Sequence, residues 1–391
     1  MRSNNFKKTD VIFSDCQHTD GQKYPILESV LKKKPQDIIN EIIDSGLKGR
    51  GGAGFPTGLK WKFAAAQEQA EKYVICNADE GEPGTFKDRE ILLKVPGKVF
   101  AGMAICGYCI NAKKGYIYLR GEYKFMVPEL TKFLNEFHTT IQKMGYDFSI
   151  QILMGSGAYV CGEETALMES MEGRRGEPRN KPPFPVIEGF NNKPTVINNV
   201  ETFVNVAMIQ RYGVAEFKKL GTHDSRGTKV FSISGDTSKP GVYELELGMK
   251  LSDFVDEYGD GDTKAVQVGG ASGFCVPRKK FNETIIGFEG VPTGGSMMLF
   301  NSSRSMYNVL SNFIHFFAEE SCGQCTPCRV GCQQLVQGIK AVKNGAKDED
   351  YLKKLLKLTE SMKLTAKCGL GQSVANSFSS IVTNFKEEMI Y

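Results

Sequence analysis

Along the first half of the chain, apolar residues follow two alternating rhythms. Pro35–Asp44 places Ile38, Ile39, Ile42 and Ile43 on one side of a helix that Ser45-Gly46 stops. Tyr73–Ala78, Gly115–Leu119 and Ser149–Met154 are short apolar runs that predict strands, whereas Thr57–Gln69, Val95–Ala104, Pro128–Met144 and Glu163–Glu172 predict helices. This alternation, sustained to about Asp224, predicts an α/β layer architecture. The proline-rich passage from Glu177 to Pro185 suits neither a helix nor a central strand and predicts an extended strap. From Thr228 to Phe300 the rhythm shortens to Lys229–Ser234, Gly241–Glu246, Ala265–Val268 and Met297–Phe300, separated by turns such as Ser238-Lys239-Pro240-Gly241. That pattern predicts a small β-rich unit. After Ser303 the spacing is helical to the end, through Arg304–Glu320, Val330–Lys343, Asp348–Met362 and Gln372–Met389.

With 391 residues the chain can build two or three cores. A hydrophobic share of 41% excludes a largely disordered chain. The net charge of +4 and the absence of any basic run longer than Lys32-Lys33-Lys34 give no footprint for nucleic acid. The longest mainly apolar stretch without a charge, Val99–Ile110, is too short to span a bilayer, and Met1–Asn5 has no apolar signal core. The expectation is a cytoplasmic chain without direct membrane insertion.

Cysteine changes the picture. There are 11, and four fall within Cys322–Cys332. In a reducing compartment, clustered thiols mean metal or redox chemistry rather than disulfides. Cys322-x2-Cys325-x2-Cys328 lets three thiolates each hold a corner of a [4Fe-4S] cubane, which a distant Cys368 would close. Zinc is the rival, although its usual pattern is two separated pairs. Cys332 competes with Cys368 as fourth ligand, because Cys322–Cys332 also reads C-x2-C-x2-C-x3-C; Cys368 is favoured because no second run exists and Gln333 follows instead of proline. Cys106 and Cys109, and the isolated Cys16, Cys76, Cys161 and Cys275, read as buried and inert. His18, His138, His223 and His315 match no ligand spacing.

Glycine supplies the second signal, with 42 residues, much of the excess over an average chain sitting in a few loops. Gly49, Gly51 and Gly54 form a G-x-G-x-x-G, but a helix precedes it where a dinucleotide fold needs a strand. A loop without side chains still lets backbone N–H groups reach a phosphate or a flavin ring. The helix starting near Thr57 adds its positive end, Lys60 a charge, and Phe55, Trp61 and Phe63 an aromatic surface. Asn77-Ala-Asp79-Glu80-Gly-Glu82 at the end of a strand, and Gly155 to Glu164 after another, offer acceptors where open α/β sheets bind ligands. Asn198, Asn199 and Thr202 begin a further helix.

Gly49–Phe63, Cys76–Arg89, Tyr159–Pro185, Asn198–Phe203 and Glu320–Gly331 together resemble the FMN- and NADH-binding subunit of respiratory complex I and its soluble relatives, the diaphorase subunits of NAD-linked hydrogenases and formate dehydrogenases. The resemblance implies a Rossmann-like FMN domain over 1–226, a ubiquitin-like β-grasp domain over 227–303 and a helical bundle with one [4Fe-4S] cluster over 304–391. It implies that FMN is cradled by Gly49, Arg50, Gly51, Gly52 and Lys60, with Asn77, Asp79, Glu80, Tyr159, Gly162, Asn198, Asn199 and Thr202 completing the pocket. NADH would lie against Phe55, Phe63, Glu82, Glu163, Glu164, Lys181 and Phe184, and Cys322, Cys325, Cys328 and Cys368 would hold the cluster. Hydride transfer then rests on the flavin and needs no catalytic side chain. Implied partners are a thioredoxin-like [2Fe-2S] subunit and a larger iron–sulfur or catalytic subunit, through which the chain would lie at the inner face of a membrane if complex I is the setting. Gly221–Thr228, Gly235–Gly241, Val268–Gly273 and Phe316–Ser321 look closer to the soluble hydrogenase type. The chain lacks the cysteines for the extra iron–sulfur domains of many such subunits, so a minimal core is expected. A structural iron–sulfur conduit without a working flavin is the non-enzymatic alternative.

Overall fold

A computed structural model describes residues 8–14 and 25–390. Met1–Asn5, Cys16 and His18 lie outside them. The chain opens with α1 (Pro25–Val30), α2 (Pro35–Ser45) and α3 (Thr57–Ala65). There follow β1 (Tyr73–Ala78), α4 (Lys87–Lys94), α5 (Pro96–Ile110), β2 (Lys114–Leu119), α6 (Val127–Lys143), β3 (Ser149–Met154), α7 (Glu164–Met171), β4 (Thr195–Asn199), α8 (Val200–Tyr212) and α9 (Val214–Lys218). The four strands form one wholly parallel sheet in the order β3-β2-β1-β4.

Next come β5 (Thr228–Gly235), β6 (Gly241–Glu246), β7 (Met249–Lys250), α10 (Leu251–Tyr258), β8 (Thr263–Val268), β9 (Phe274–Pro277), β10 (Ile285–Ile286) and β11 (Ser296–Asn301). Five of these strands make a mixed sheet, β6-β5-β11-β8-β9, in which only β5 and β11 run parallel. Helices α11 (Met306–Glu320), α12 (Thr326–Lys343), α13 (Glu349–Thr365), α14 (Gly369–Asn384) and α15 (Lys386–Met389) end the chain.

Several element bounds differ from the sequence reading. The helix after Thr57 stops at Ala65, and the one expected over Val95–Ala104 runs on to Ile110, carrying Cys106 and Cys109 into the core. Burial pushes the Cys106 thiol well above its ordinary range. Strand β4 lies where the sequence predicts only a helix start, because its apolar run is two residues long, Val196-Ile197. Helix α12 begins at Thr326 rather than Val330; Pro327 in its first turn, a position where proline is favoured, brings Cys328 and Cys332 onto one helical face.

Period-two alternation assigns the parallel sheet two apolar faces. Val74, Cys76 and Ala78 of β1 pack with α2, α5 and α8, while Tyr73 and Ile75 join one continuous apolar cluster with the C-terminal helices, through Met306, Phe317, Leu335 and Phe378. A third cluster packs α10 on the mixed sheet, through Leu251, Phe254 and Tyr258. Among the described residues no single helix is long and apolar enough to cross a membrane; α4 and α5 together would have the length, but they meet at a 95° bend.

The two sheets meet over buried charge. Glu201 in the first turn of α8 has no exposed surface; it accepts from Lys229 Nζ at 2.7 Å and Val230 N at 2.8 Å on β5, and pairs with Lys87 Nζ at 2.9 Å. Lys87 also holds Asp88 Oδ1 at 2.6 Å, and Asn199 Nδ2 donates to Asp88 Oδ2 at 2.6 Å. Burial opposes charge on Glu201, but Lys229, Lys87 and Arg50 outweigh it and keep its carboxyl below the ordinary range.

Two outcomes follow. Glu201→Gln leaves Lys87 and Lys229 underpaired in the core and is expected to destabilise the protein by about 3–5 kcal/mol in urea unfolding. In Gly102→Ala the new Cβ would lie 2.0 Å from the Phe203 carbonyl oxygen where α5 crosses α8, so a loss of at least about 1–3 kcal/mol is expected in the same measurement.

Candidate functional site

β1 and β4 are neighbours, yet the chain runs from β1 outward through β2 to β3 and only then returns to lay β4 on the other side of β1. At such a reversal the loops leaving the two strands part, and a crevice opens at their carboxyl ends. β1 delivers Asn77 and, just beyond it, Asp79, Glu80 and Glu82; β4 delivers Asn198 and Asn199; α8 adds Thr202.

The glycine loop between α2 and α3 sits at this crevice. Its base is pinched where Gly49 N donates to Phe55 O at 2.9 Å. Arg50 N donates to Thr202 Oγ1 at 2.9 Å, tying the loop to α8. Gly51 crosses so near Asn199 that a Cβ would stand 3.2 Å from the Asn199 Cβ, and Gly52 takes φ +115°, where only glycine is at ease. The Arg50 side chain is buried beneath the loop, donating to Lys48 O and Arg226 O, and its Nε has no hydrogen-bond partner among the described residues. Burial brings its guanidinium down to about 10.

The acidic turn has three differently employed carboxyls. Asn77 Nδ2 donates to Gly162 O at 2.8 Å, and Asn77 Oδ1 accepts from Asp79 N. Asp79 Oδ2 is buried without a hydrogen-bond partner among the described residues, and burial pushes that carboxyl up to about 7. The Glu80 oxygens are taken by the N–H groups of Asp88 (2.8 Å) and Arg89 (3.2 Å) and by the Tyr123 hydroxyl (2.9 Å), so this side chain anchors the start of α4. Glu82 accepts from Ser272 N at 2.9 Å and from the Tyr159 hydroxyl at 2.5 Å.

At the mouth, Glu163 caps α7 through Thr165 N (2.8 Å) and Ala166 N (3.0 Å). Lys181 holds Glu163 at 2.8 Å and Glu164 at 3.1 Å, while Lys60 holds Glu164 at 3.2 Å and Ile197 O at 3.0 Å. Burial disfavours charge on Glu164, but the two lysines prevail and its carboxyl lies below the ordinary range. The Lys60 ammonium stands 5.9 Å from the Phe55 ring centre. Phe55, Phe63 and Phe184 are 47%, 48% and 51% exposed, three rings left largely in water.

The second site lies one turn away. Cys322, Cys325, Cys328 and Cys368 line a single small cavity together with Ser321 and Val160; Cys332 does not. Among the described residues no three Cys, His, Asp or Glu side chains converge on one ion. Thiols ringing a cavity suit a cubane, which is wider than an ion, better than zinc. In the crevice, the partnerless Asp79 oxygen, the side-chain-free loop and Lys60 at the first turn of α3 suit a ligand bearing a phosphate and a flat ring with an N–H to donate. The structure therefore rings one cavity with Cys322, Cys325, Cys328 and Cys368, and links Asn77 to Gly162 and Arg50 to Thr202 in the crevice beside it.

Sequence reasoning missed the residues behind them. Ser272 fixes Glu82; Glu320 accepts from Tyr159 N at 2.9 Å; Lys87, Asp88, Glu201 and Lys229 lie beneath. The sequence singled out Val268–Gly273 only for its likeness to the soluble hydrogenase type, and nothing local said which carboxylate Ser272 would meet.

Comparison with known proteins converges on the same pairing. Residues 42–208 match the family model described as the Nuo51 FMN-binding domain, and residues 308–391 the NADH-ubiquinone oxidoreductase-F iron-sulfur binding region. The chain is 44% identical over 369 residues to the NAD-reducing hydrogenase HoxS subunit alpha of Cupriavidus necator, covering 93% of itself and 61% of that protein. It is 39% identical to the second F-type subunit of the NADH-quinone oxidoreductase of Rhizobium meliloti, covering 95% and 92%. A crystal structure of NAD+-reducing [NiFe]-hydrogenase in the H2-reduced state superposes with a TM-score of 0.86 at 41% identity, over 93% of this chain and 64% of that one. The chain thus spans under two thirds of these two NAD-linked hydrogenase chains and nearly all of the quinone-linked one. A flavin-type crevice sharing a wall with a thiol-lined cavity, matched region by region, means that the chain belongs to the Nuo51 family of FMN- and iron–sulfur-binding subunits.

Proposed function

We propose that the chain is an electron-input diaphorase subunit that exchanges a hydride between NAD(H) and FMN and passes single electrons through a [4Fe-4S] cluster to partner subunits. The setting favoured by the 44% identity to a hydrogenase subunit is a soluble NAD-linked hydrogenase or formate dehydrogenase. A place in the peripheral arm of complex I is the second reading, supported by the 92% coverage of a quinone-linked relative. On either reading the partners are a thioredoxin-like [2Fe-2S] subunit and a larger iron–sulfur subunit, and the chain is cytoplasmic, reaching a membrane only through them. The division is a Rossmann-like domain over 1–226, a β-grasp domain over 227–303 and a cluster-bearing bundle over 304–391; the strand orders 3-2-1-4 and 6-5-11-8-9 support the first two.

One observation carries the reading. The turn Tyr159–Gly162 belongs to both sites: Gly162 O accepts from Asn77 in the crevice, and Val160 lines the cysteine cavity. FMN, when bound, accepts two electrons as a hydride and releases them singly, and the iron–sulfur cluster takes one at a time. The chain's part is to hold both groups close, orient the nicotinamide and exclude water. On this reading Gly49, Arg50, Gly51, Gly52 and Lys60 cradle the flavin phosphate. Asn77, Asp79, Tyr159, Gly162, Asn198, Asn199 and Thr202 close the pocket, and Glu80 braces it through α4. Phe55, Phe63 and Phe184 sandwich the nucleotide, with Glu82, Glu163, Glu164 and Lys181 reading its polar groups. Cys322, Cys325, Cys328 and Cys368 hold the cluster.

Anaerobically purified protein should contain flavin, iron and sulfide, and NADH should bleach the flavin; protein with iron but no bleachable flavin would establish the conduit alternative instead. Cys368→Ser is expected to lose most of the iron and sulfide while NADH still bleaches the flavin, and Cys332→Ser to keep its iron; the opposite pattern overturns the ligand assignment. Near a ribose, the Glu164 carboxylate repels a 2′-phosphate. Glu164→Gln should therefore lower the NADH-to-NADPH ratio of kcat/KM by about tenfold, roughly 1.4 kcal/mol; an unchanged ratio removes Glu164 from that role.

A further inference from the structure

Cys332 is the one cysteine of the C-terminal run that does not line the cavity. It lies one turn after Cys328 on the same face of α12, 1% exposed, with its Sγ 4.0 Å from Cys328 Sγ. A second side chain reaches the same sulfur: Ser321 Oγ stands 3.2 Å from Cys328 Sγ. Gly323 N donates to the Ser321 oxygen at 3.3 Å, which leaves the hydroxyl proton for the sulfur.

The surrounding helices fix this geometry. A Cβ at Gly371 would lie 3.1 Å from Cys328 Cβ, so α14 presses directly on that residue, and a Cβ at Gly331 would lie 2.5 Å from Met362 Sδ, so α12 cannot slide along α13. Of the four thiols lining the cavity, only that of Cys328 belongs to a fully buried residue. Cys332 sits in the apolar cluster with Leu335 and Met362.

Between two free thiols either sulfur can donate. A cluster ligand cannot, because it is a thiolate and has only lone pairs to offer. Cys332, walled in by apolar side chains, keeps its proton. The ambiguity therefore resolves in one direction, with the Cys332 S–H and the Ser321 O–H both aimed at Cys328 Sγ. Hydrogen bonds to a cluster sulfur stabilise the more negative, reduced state and so raise the reduction potential. We infer that Cys332 is not a ligand but a hydrogen-bond donor that, with Ser321, tunes the cluster's potential through Cys328. The inference rests on the ligand set proposed above.

The test is a redox titration of the holoprotein followed by electron paramagnetic resonance of the reduced cluster. Cys332→Ala should keep its iron but titrate at a more negative potential. At the wild-type midpoint its reduced-to-oxidised ratio should fall about threefold to tenfold, where tenfold corresponds to about 59 mV for one electron. Ser321→Ala should shift the same way. Cys332→Ser, which retains a donor, should stay nearer the wild type than Cys332→Ala; if the Ser and Ala variants move together, the side chain serves packing alone and the inference is overturned. An intact cluster with an unchanged potential in Cys332→Ala overturns it as well, and leaves the ligand assignment standing. Should Cys332→Ala fail to fold, the wild-type protein decides: transfer into D2O should reveal exchangeable-proton couplings to the reduced cluster, and their absence refutes the two donors. A wild-type protein without a [4Fe-4S] signal overturns the ligand set and this inference together.

Discussion

The carboxylate of Glu201 joins the two sheets. It receives a lysine from β5, a lysine from α4 and the backbone N–H of Val230, and it lies in the first turn of the helix that follows β4. Lys229 continues the chain of contacts to Arg50 O at 2.9 Å, and Thr202, the next residue after Glu201, accepts the Arg50 N–H. The glycine loop is therefore fastened to the body by the same two turns that join the sheets. Buried ions are a poor source of net stability, since desolvation consumes most of their attraction. Their effect here is on register. A slip of β5 by one residue would carry Lys229 to the opposite face and leave Glu201 and Lys87 imperfectly paired.

With the loop and the strand ends fixed in this way, the crevice can leave one buried acceptor empty. Asp79 Oδ2 lacks a partner, whereas Glu80, one residue on, has all its demands met from α4 and Tyr123. The contrast separates a carboxyl fully employed in the structure from one whose buried oxygen the described residues leave unpaired. Tyr159 performs a similar division. Its backbone is tied to Glu320 at the end of α11, three residues before Gly323, while its hydroxyl is tied to Glu82 in the acidic turn. The cysteine-bearing segment and the crevice are thus fastened to one residue, and a displacement of either is felt by the other.

Much of this was legible in the sequence where a signal is local. The C-x2-C-x2-C spacing, the glycine loop and the acidic turn each occupy a dozen residues or fewer, and the structure brings them together. Element bounds went wrong where tertiary packing overrode a local stop: Gly107 does not end α5, because Phe148 packs where a Cβ would lie 2.5 Å away. β4 was hidden by its short apolar run, although it is the strand that makes the reversal and hence the crevice. The charge network was not legible at all. Lys87, Glu201 and Lys229 lie more than a hundred residues apart at the extremes, and each alone resembles a solvated surface residue. The C-terminal helices read as a separate bundle, yet their apolar faces are continuous with Tyr73 and Ile75 of β1, which no periodicity could reveal.

The mouth of the crevice follows a different rule from its floor. Beneath the loop, charges are buried and paired in place; at the rim, Lys60 and Lys181 are paired with Glu163 and Glu164 but remain within reach of solvent. These pairs are partly covered, but unlike the fully buried pairs below they keep some contact with solvent and can exchange partners. On the function proposed above, a phosphate entering there would offer the lysines a better partner than a carboxylate already shared between two cations, and the carboxylates so released could accept from sugar hydroxyls. Binding then becomes a substitution among charges that are already balanced, so no bare ion needs to be created or buried. That economy requires the pairs to be loose, which is consistent with their place beside half-exposed phenylalanines at the opening and not beside the buried lysines below.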